Sequence, residues 1–138
     1  MANGDARTLL IVDDDTPLRE RLAQAMERRG FSVTTADSVA SGVTAATASP
    51  PAYAVVDLRL GDGSGLDVVE ALHRARADSR VVILTGYGNI ATAVAAVKAG
   101  AVDYLPKPAD ADMIEAALMA RDGALPPPPE TPMSADRV

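Results

Sequence analysis

The sequence predicts an α/β fold built on a parallel sheet, and three observations lead there. Short apolar runs at residues 9–12 (Leu-Leu-Ile-Val), 53–56, 81–84 and 102–106 read as strands. Near-continuous apolar character of this kind marks strands buried on both faces, as parallel strands are. Stretches with helical spacing separate these runs, joined by short connections rich in Gly, Pro, Asp and Ser. Alternating βα units place helices on both faces of one sheet. The expectation is a (βα)₅ three-layer sandwich. Right-handed crossovers then favour the flavodoxin-like strand order 2-1-3-4-5.

Each element follows in turn. After the first strand, Thr16 is placed to cap a helix whose first turn accepts Pro17. Leu18, Leu22, Ala25 and Met26 supply its apolar stripe, and Gly30 ends it. Residues 31–36 alternate as the second strand. Ser38 caps an Ala-rich helix that stops at Ser49-Pro50-Pro51. The third strand ends at Asp57, and a glycine-rich loop from Gly61 to Gly65 opens a helix carrying Leu66, Val69 and Leu72. The fourth strand ends at Thr85, followed by Gly86-Tyr87-Gly88-Asn89 and an Ala/Val helix closing at Gly100. The fifth strand ends before Lys107-Pro108, and a last helix runs from about Asp110 to Arg121. His73, the single histidine, falls on the polar side of its helix and reads as solvated.

Composition bounds the function. With 138 residues, 48% of them hydrophobic, the chain holds one domain with a proper core. Its net charge of −6 argues against this chain gripping nucleic acid or anionic membrane by itself. No apolar run approaches the roughly 20 residues of a membrane span, and the N-terminus lacks a signal-peptide core. Cysteine is absent, which excludes thiolate metal sites. A cytoplasmic protein is the expectation. Beyond Gly123 the prolines at 126–129 and 132 read as a stiff linker, so residues 7–122 form the domain and 123–138 lead to a domain the sequence does not contain.

Parallel sheets bind ligands at the carboxyl ends of their strands. Asp13, Asp14, Asp57, Thr85 and Lys107 all lie at such ends. Clustered carboxylates repel one another unless they gather a cation, and an all-oxygen set without His or Cys suits Mg²⁺. Asp57 is then a candidate nucleophile toward a phosphoryl donor, with Thr85 and Lys107 available to the phosphoryl oxygens.

The Val-Asp-Asp of strand one, Asp57, Thr85, and Lys-Ala-Gly-Ala-Val-Asp-Tyr-Leu-Pro-Lys-Pro at 98–108 together resemble the receiver domain of two-component response regulators. The resemblance covers residues 7 to 121 with all five signature positions in order. It implies phosphorylation of Asp57 by a partner sensor histidine kinase that docks on the first helix. It implies that Asp14, Asp57 and the Arg59 backbone carbonyl ligate Mg²⁺, with Asp13 acting through water. It implies Tyr104 as a switch aromatic coupled to Thr85 and a cis Lys107–Pro108 bond. The face of helix 4, strand 5 and helix 5 is separately expected to be the activation-dependent surface for a second receiver, giving a homodimer. Such a domain is a phospho-acceptor switch rather than a turnover enzyme. Gly61 stands where many receivers carry Pro, and Gly86 where Ala is common. With the loop 84–89 and the proline tail, these resemble the redox-responsive RegA/PrrA/ActR-type regulators of α-proteobacteria. That group implies transcription regulation through a DNA-binding output domain.

Plainer readings compete. Asp13-Asp14-Asp15 taken alone serves equally as a polar helix cap, and Asp15 is read only as a loop or helix-start acid. Thr85 could cap the fourth helix, Tyr104 could be a strand aromatic, and Lys107 a solvated loop lysine. Gly86-Tyr87-Gly88-Asn89-Ile90-Ala91 fits a dinucleotide fingerprint, but it follows the fourth strand rather than the first. An aspartyl-phosphate phosphatase needs a second carboxylate where Arg59 stands. A nucleotide-binding or phosphorylation-silent interaction module is the alternative to the receiver.

Overall fold

The computed structural model describes residues 7–86 and 90–120. Five parallel strands, β1 (Thr8–Val12), β2 (Ser32–Ala36), β3 (Tyr53–Asp57), β4 (Arg80–Thr85) and β5 (Asp103–Pro106), pair in the order β2-β1-β3-β4-β5. Five helices connect or follow them: α1 (Thr16–Arg28), α2 (Val39–Ala48), α3 (Gly65–Ala75), α4 (Ile90–Lys98) and α5 (Ala111–Met119). A separate ladder of two-residue strands, Arg59–Leu60 against Gly63–Ser64, lies between β3 and α3. The predicted topology is the one observed. The residues beyond 120, including the proline-rich stretch, and the loop residues 87–89 lie outside the described part.

Strand alternation decides which helices cover which face. Leu10, Val12, Val56 and Ile83 share one core with Ala46 of α2, Val68 and Leu72 of α3, and Ala93 and Ala96 of α4. Leu9, Ile11, Val55 and Leu84 face the other way onto Leu22 and Met26 of α1 and Ile114 and Leu118 of α5. Both faces are therefore closed, which explains the apolar runs. Arg29 fastens the second layer, reaching Asp112 at 2.7 Å and Glu115 at 2.8 Å from the end of α1. Among the described residues no helix is long and apolar enough to cross a membrane.

Two local expectations need correction. The cap of α1 is Asp15 rather than Thr16: its carboxylate accepts from Leu18 N at 3.0 Å, and Thr16 is already the first helical residue. A triple Asp run offers several caps, and spacing alone could not choose between neighbours. His73 is not a solvated side chain. Its Nε2 lies 3.1 Å from the Ser79 carbonyl, and Nδ1 is buried without a hydrogen-bond partner among the described residues. Gly100, with φ +125°, passes so close that a Cβ there would stand 2.6 Å from the imidazole ring. The ring is thus covered by a turn distant in sequence, which helix periodicity cannot register.

Candidate functional site

Three backbone hydrogen bonds extend the sheet past its strand ends and a fourth ties the start of α3 to it, bringing the polar residues to one edge. Asp13 N donates to Ala36 O (3.1 Å), Leu58 N to Leu84 O (2.9 Å), Gly65 N to Leu58 O (2.8 Å) and Lys107 N to Thr85 O (2.8 Å). Asp13 then follows β1, and Asp57 ends β3 beside it. Asp57 pairs with Leu84, one residue before Thr85, and Thr85 pairs with Pro106, one residue before Lys107. The close entry of α3 depends on Gly65, where an added Cβ would lie 2.3 Å from Asp57 O. Replacing it with Ala forces backbone to move. Gly65→Ala is expected to destabilise the fold by about 3 kcal/mol, in the upper range for overpacking. Urea unfolding reads this, and an unchanged midpoint contradicts it.

Asp13 and Thr85 are fully buried, Asp57 is 5% exposed, and Asp14 is exposed. Lys107 Nζ stands 3.0 Å from Asp57 Oδ2 and 3.3 Å from Asp13 Oδ2. Asp13 is fixed from two further sides, with Asp15 N donating to its Oδ1 (2.9 Å) and Arg19 Nη1 to its carbonyl (2.8 Å). Thr85 Oγ1 donates to Gly86 O at 3.2 Å. The backbone amide of Arg59 donates to Asp57 Oδ1 at 3.4 Å. Tyr104 is half-buried against the core on the α2–α3–α4 side. The Lys107–Pro108 peptide is cis.

Carboxylate oxygens of Asp13, Asp14 and Asp57 all lie within 4.8 Å of one another. One of them, Asp13 Oδ2, is buried and has among the described residues only the 3.3 Å ion pair with Lys107 Nζ, without a hydrogen bond. Three hard oxygen donors facing one spot, with lone pairs unspent, fit a divalent cation. A single ammonium cannot neutralise three carboxylates.

The electrostatics bear this out. Burial pushes the Asp57 carboxyl above its ordinary value; the Lys107 hydrogen bond opposes this, and the Asp13 charge reinforces it. For Lys107, burial works to lower the ammonium. The hydrogen bond to Asp57 and the charges of Asp57 and Asp13 outweigh it, so the group keeps its proton more firmly than a free lysine. Protons therefore compete with a cation for Asp57 at higher pH than for an ordinary carboxylate. Divalent-cation affinity is expected to fall on acidification from above the usual carboxylate range, as calorimetric titration at several pH values would show.

The protein is thus a parallel α/β domain that gathers three carboxylates, a buried threonine and a lysine at one sheet edge. The chain belongs to the response regulator receiver domain family, whose model matches residues 9–119. It is 67% identical over 135 residues to the photosynthetic apparatus regulatory protein RegA of Cereibacter sphaeroides, covering 98% of this chain and 73% of that protein. It is 64% identical over 135 residues to the acid tolerance regulatory protein ActR of Rhizobium meliloti, covering 98% and 70%. Among solved structures it is similar to a response regulator protein from Burkholderia pseudomallei, crystallised with a phosphorylated aspartic acid, calcium ion and citrate. The TM-score is 0.77 at 42% identity, over 82% of this chain and 66% of that one.

Of the predicted site residues, Asp13, Asp14, Asp57 and Lys107 converge directly, and Thr85 stands on the adjoining strand end. The sequence reading missed Arg19 and the backbone amide of Asp15, which hold Asp13. The spacing of Arg19, one helical turn past the Asp run, was the available signal.

Proposed function

We propose that this receiver accepts a phosphoryl group on Asp57 from the phosphohistidine of a partner sensor histidine kinase, with Mg²⁺ at the acidic cluster. The convergence of Asp13, Asp14, Asp57 and Lys107 on one spot carries this reading. Asp14, Asp57 and the Arg59 carbonyl hold the ion, and Asp13 acts through water. When bound, Mg²⁺ supplies positive charge for the phosphoryl oxygens. An Asp57 oxygen attacks phosphorus. The new P–O bond forms as the P–N bond breaks, and the departing imidazole keeps the electron pair. Lys107 exchanges its contact with Asp57 Oδ2 for a phosphoryl oxygen, and the Thr85 hydroxyl donates to another. The chemistry is self-phosphotransfer and autodephosphorylation, without substrate turnover.

A groove of about 660 Å³ between α1 and the start of α5, lined by Leu18, Leu22, Ala25 and Ala109, suits the kinase. Its mixed lining, with Arg21 and Arg28 at hand, matches an amphipathic helical partner. Movement of Thr85 toward the phosphate turns Tyr104 inward and shifts α4. Val94 and Val97 on α4 and Met113 and Met119 on α5 are large apolar side chains left exposed. We assign the α4–β5–α5 face to a second receiver in the phosphorylated state. In this reading residues 7–122 are the receiver and 123–138 a linker to a DNA-binding output domain that regulates transcription. The chain itself binds neither nucleic acid nor membrane and works in the cytoplasm.

Beryllium fluoride with Mg²⁺, a mimic of aspartyl phosphate, tests this by amide chemical shifts. Shifts are expected at Asp57, Thr85 and Lys107, and along Tyr104 and α4. Perturbation confined to Asp57 and Lys107 overturns the switch, and no perturbation at all overturns the acceptor.

A further inference from the structure

Asp62 is exposed and lies outside the carboxylate cluster, yet both its oxygens are engaged. Oδ1 accepts from Val39 N at 2.8 Å and Oδ2 from Ala40 N at 3.1 Å. These are the first two amides of α2. Ser38 Oγ takes the third, from Ser41 N at 3.0 Å, and Ser41 Oγ returns the bond to Ser38 N at 3.1 Å. The first helical bond, Gly42 N to Ser38 O, follows at 2.9 Å. Every amide that a helix N-terminus normally leaves orphaned is thus held by a side chain. The partial positive charge there favours a carboxylate, and the two amide bonds hold the Asp62 carboxyl below its ordinary value.

The origin of this carboxylate is what matters. Ser38 already caps the helix locally, and Asp62 arrives from 23 residues further along the chain. It sits in the turn of the two-residue ladder that begins at Arg59, directly after β3. That ladder is a poor structure by itself. Two-residue strands have little independent stability, and Gly61 and Gly63 loosen the segment further. It nonetheless runs beside the acidic cluster, since a Cβ on Gly61 would lie 3.7 Å from Asp14 Oδ2. Some outside anchor must fix it if it is to present a ligand.

We propose that Asp62 is a positioning residue for the divalent-cation site, clamping the Arg59–Ser64 ladder to α2 so that the Arg59 carbonyl faces Asp14 and Asp57. The inference rests on the reading of the cluster as a cation site and assigns Asp62 no contact with the ion. Removing such a support costs about 10- to 100-fold in metal affinity. Two acceptor oxygens are needed for the two amides, so Asn, with one, keeps part of the clamp.

Calorimetric titration with Mg²⁺ of the 138-residue protein, its Asp62→Ala variant and its Asp62→Asn variant tests this, with thermal unfolding as the folding control. Affinity is expected to fall about 10-fold or more in Asp62→Ala and to an intermediate value in Asp62→Asn. Labelling by acetyl phosphate should need more Mg²⁺ in Asp62→Ala yet reach the wild-type rate at saturation. Wild-type affinity in Asp62→Ala overturns the proposal. Equal losses in both variants, abolished by added salt, also overturn it, because long-range charge would then explain the effect. A wild-type protein that binds no Mg²⁺ overturns the cation-site reading itself, and is seen before any variant is compared.

Discussion

Lys107→Ala is expected to destabilise the protein by about 3 kcal/mol without divalent cation, and by markedly less once Mg²⁺ is added. The ammonium stands between Asp57 Oδ2 at 3.0 Å and Asp13 Oδ2 at 3.3 Å, both on carboxylates almost wholly buried. Deleting one partner of a buried pair leaves uncompensated charge, at about 3–5 kcal/mol. Lys107 itself is 27% exposed, so water softens the loss and the lower figure applies. The backbone bond from Lys107 N to Thr85 O survives the substitution, so the β5 end stays in place. A cation at the cluster would take over the neutralising role, which is why Mg²⁺ should restore stability more in the variant than in wild type. Urea unfolding with and without Mg²⁺ gives both numbers. Equal Mg²⁺ stabilisation of the two proteins would mean that the ion and Lys107 do not share the same carboxylates.

The second large effect is opposite in sign. Asp57→Asn is expected to stabilise the metal-free protein at neutral pH while abolishing phosphoryl acceptance, because it removes a buried charge repelled by Asp13. Asp57 is buried among like charges, and burial raises its carboxyl above the ordinary value despite Lys107. A raised folded value means that the folded state binds the proton more readily than the unfolded chain. The contribution of Asp57 is therefore fully present below the unfolded value and lost as pH rises through the folded one. Asn removes the charge at every pH. The advantage of the variant should shrink as pH falls through the Asp57 range, since the wild-type carboxyl then becomes neutral too. Melting curves of both proteins across pH read this directly. A gap that widens on acidification would place the Asp57 carboxyl below its ordinary value instead.

The fold was legible because both faces of the sheet are covered. Runs such as Leu-Leu-Ile-Val at 9–12 have no polar side to present, as strands of a parallel sheet between helix layers require, and the alternating helical stretches point to that arrangement. The site was legible for a related reason: in this topology the strand ends share an edge, so residues at strand ends meet whatever their separation in sequence. Asp57 and Lys107, 50 residues apart, needed no other signal. What escaped depends on contacts that neither periodicity nor strand ends encode. His73 occupies a polar helical position, and the return of the chain at Gly100 packs against its ring. Asp62 lies within the glycine-rich loop, and nothing local reveals that its oxygens reach Val39 and Ala40. Asp15 took the cap expected of Thr16 because an Asp side chain accepts from an amide three residues on as readily as a Thr hydroxyl does.

The most direct measurement is the intact mass of the protein after incubation with acetyl phosphate and Mg²⁺, followed by peptide mapping. One added phosphoryl group on the peptide containing Asp57, absent from Asp57→Asn and absent without Mg²⁺, is the predicted result. No gain in a folded protein that binds Mg²⁺, or a gain that maps to another residue, would contradict the assignment of Asp57 as the acceptor.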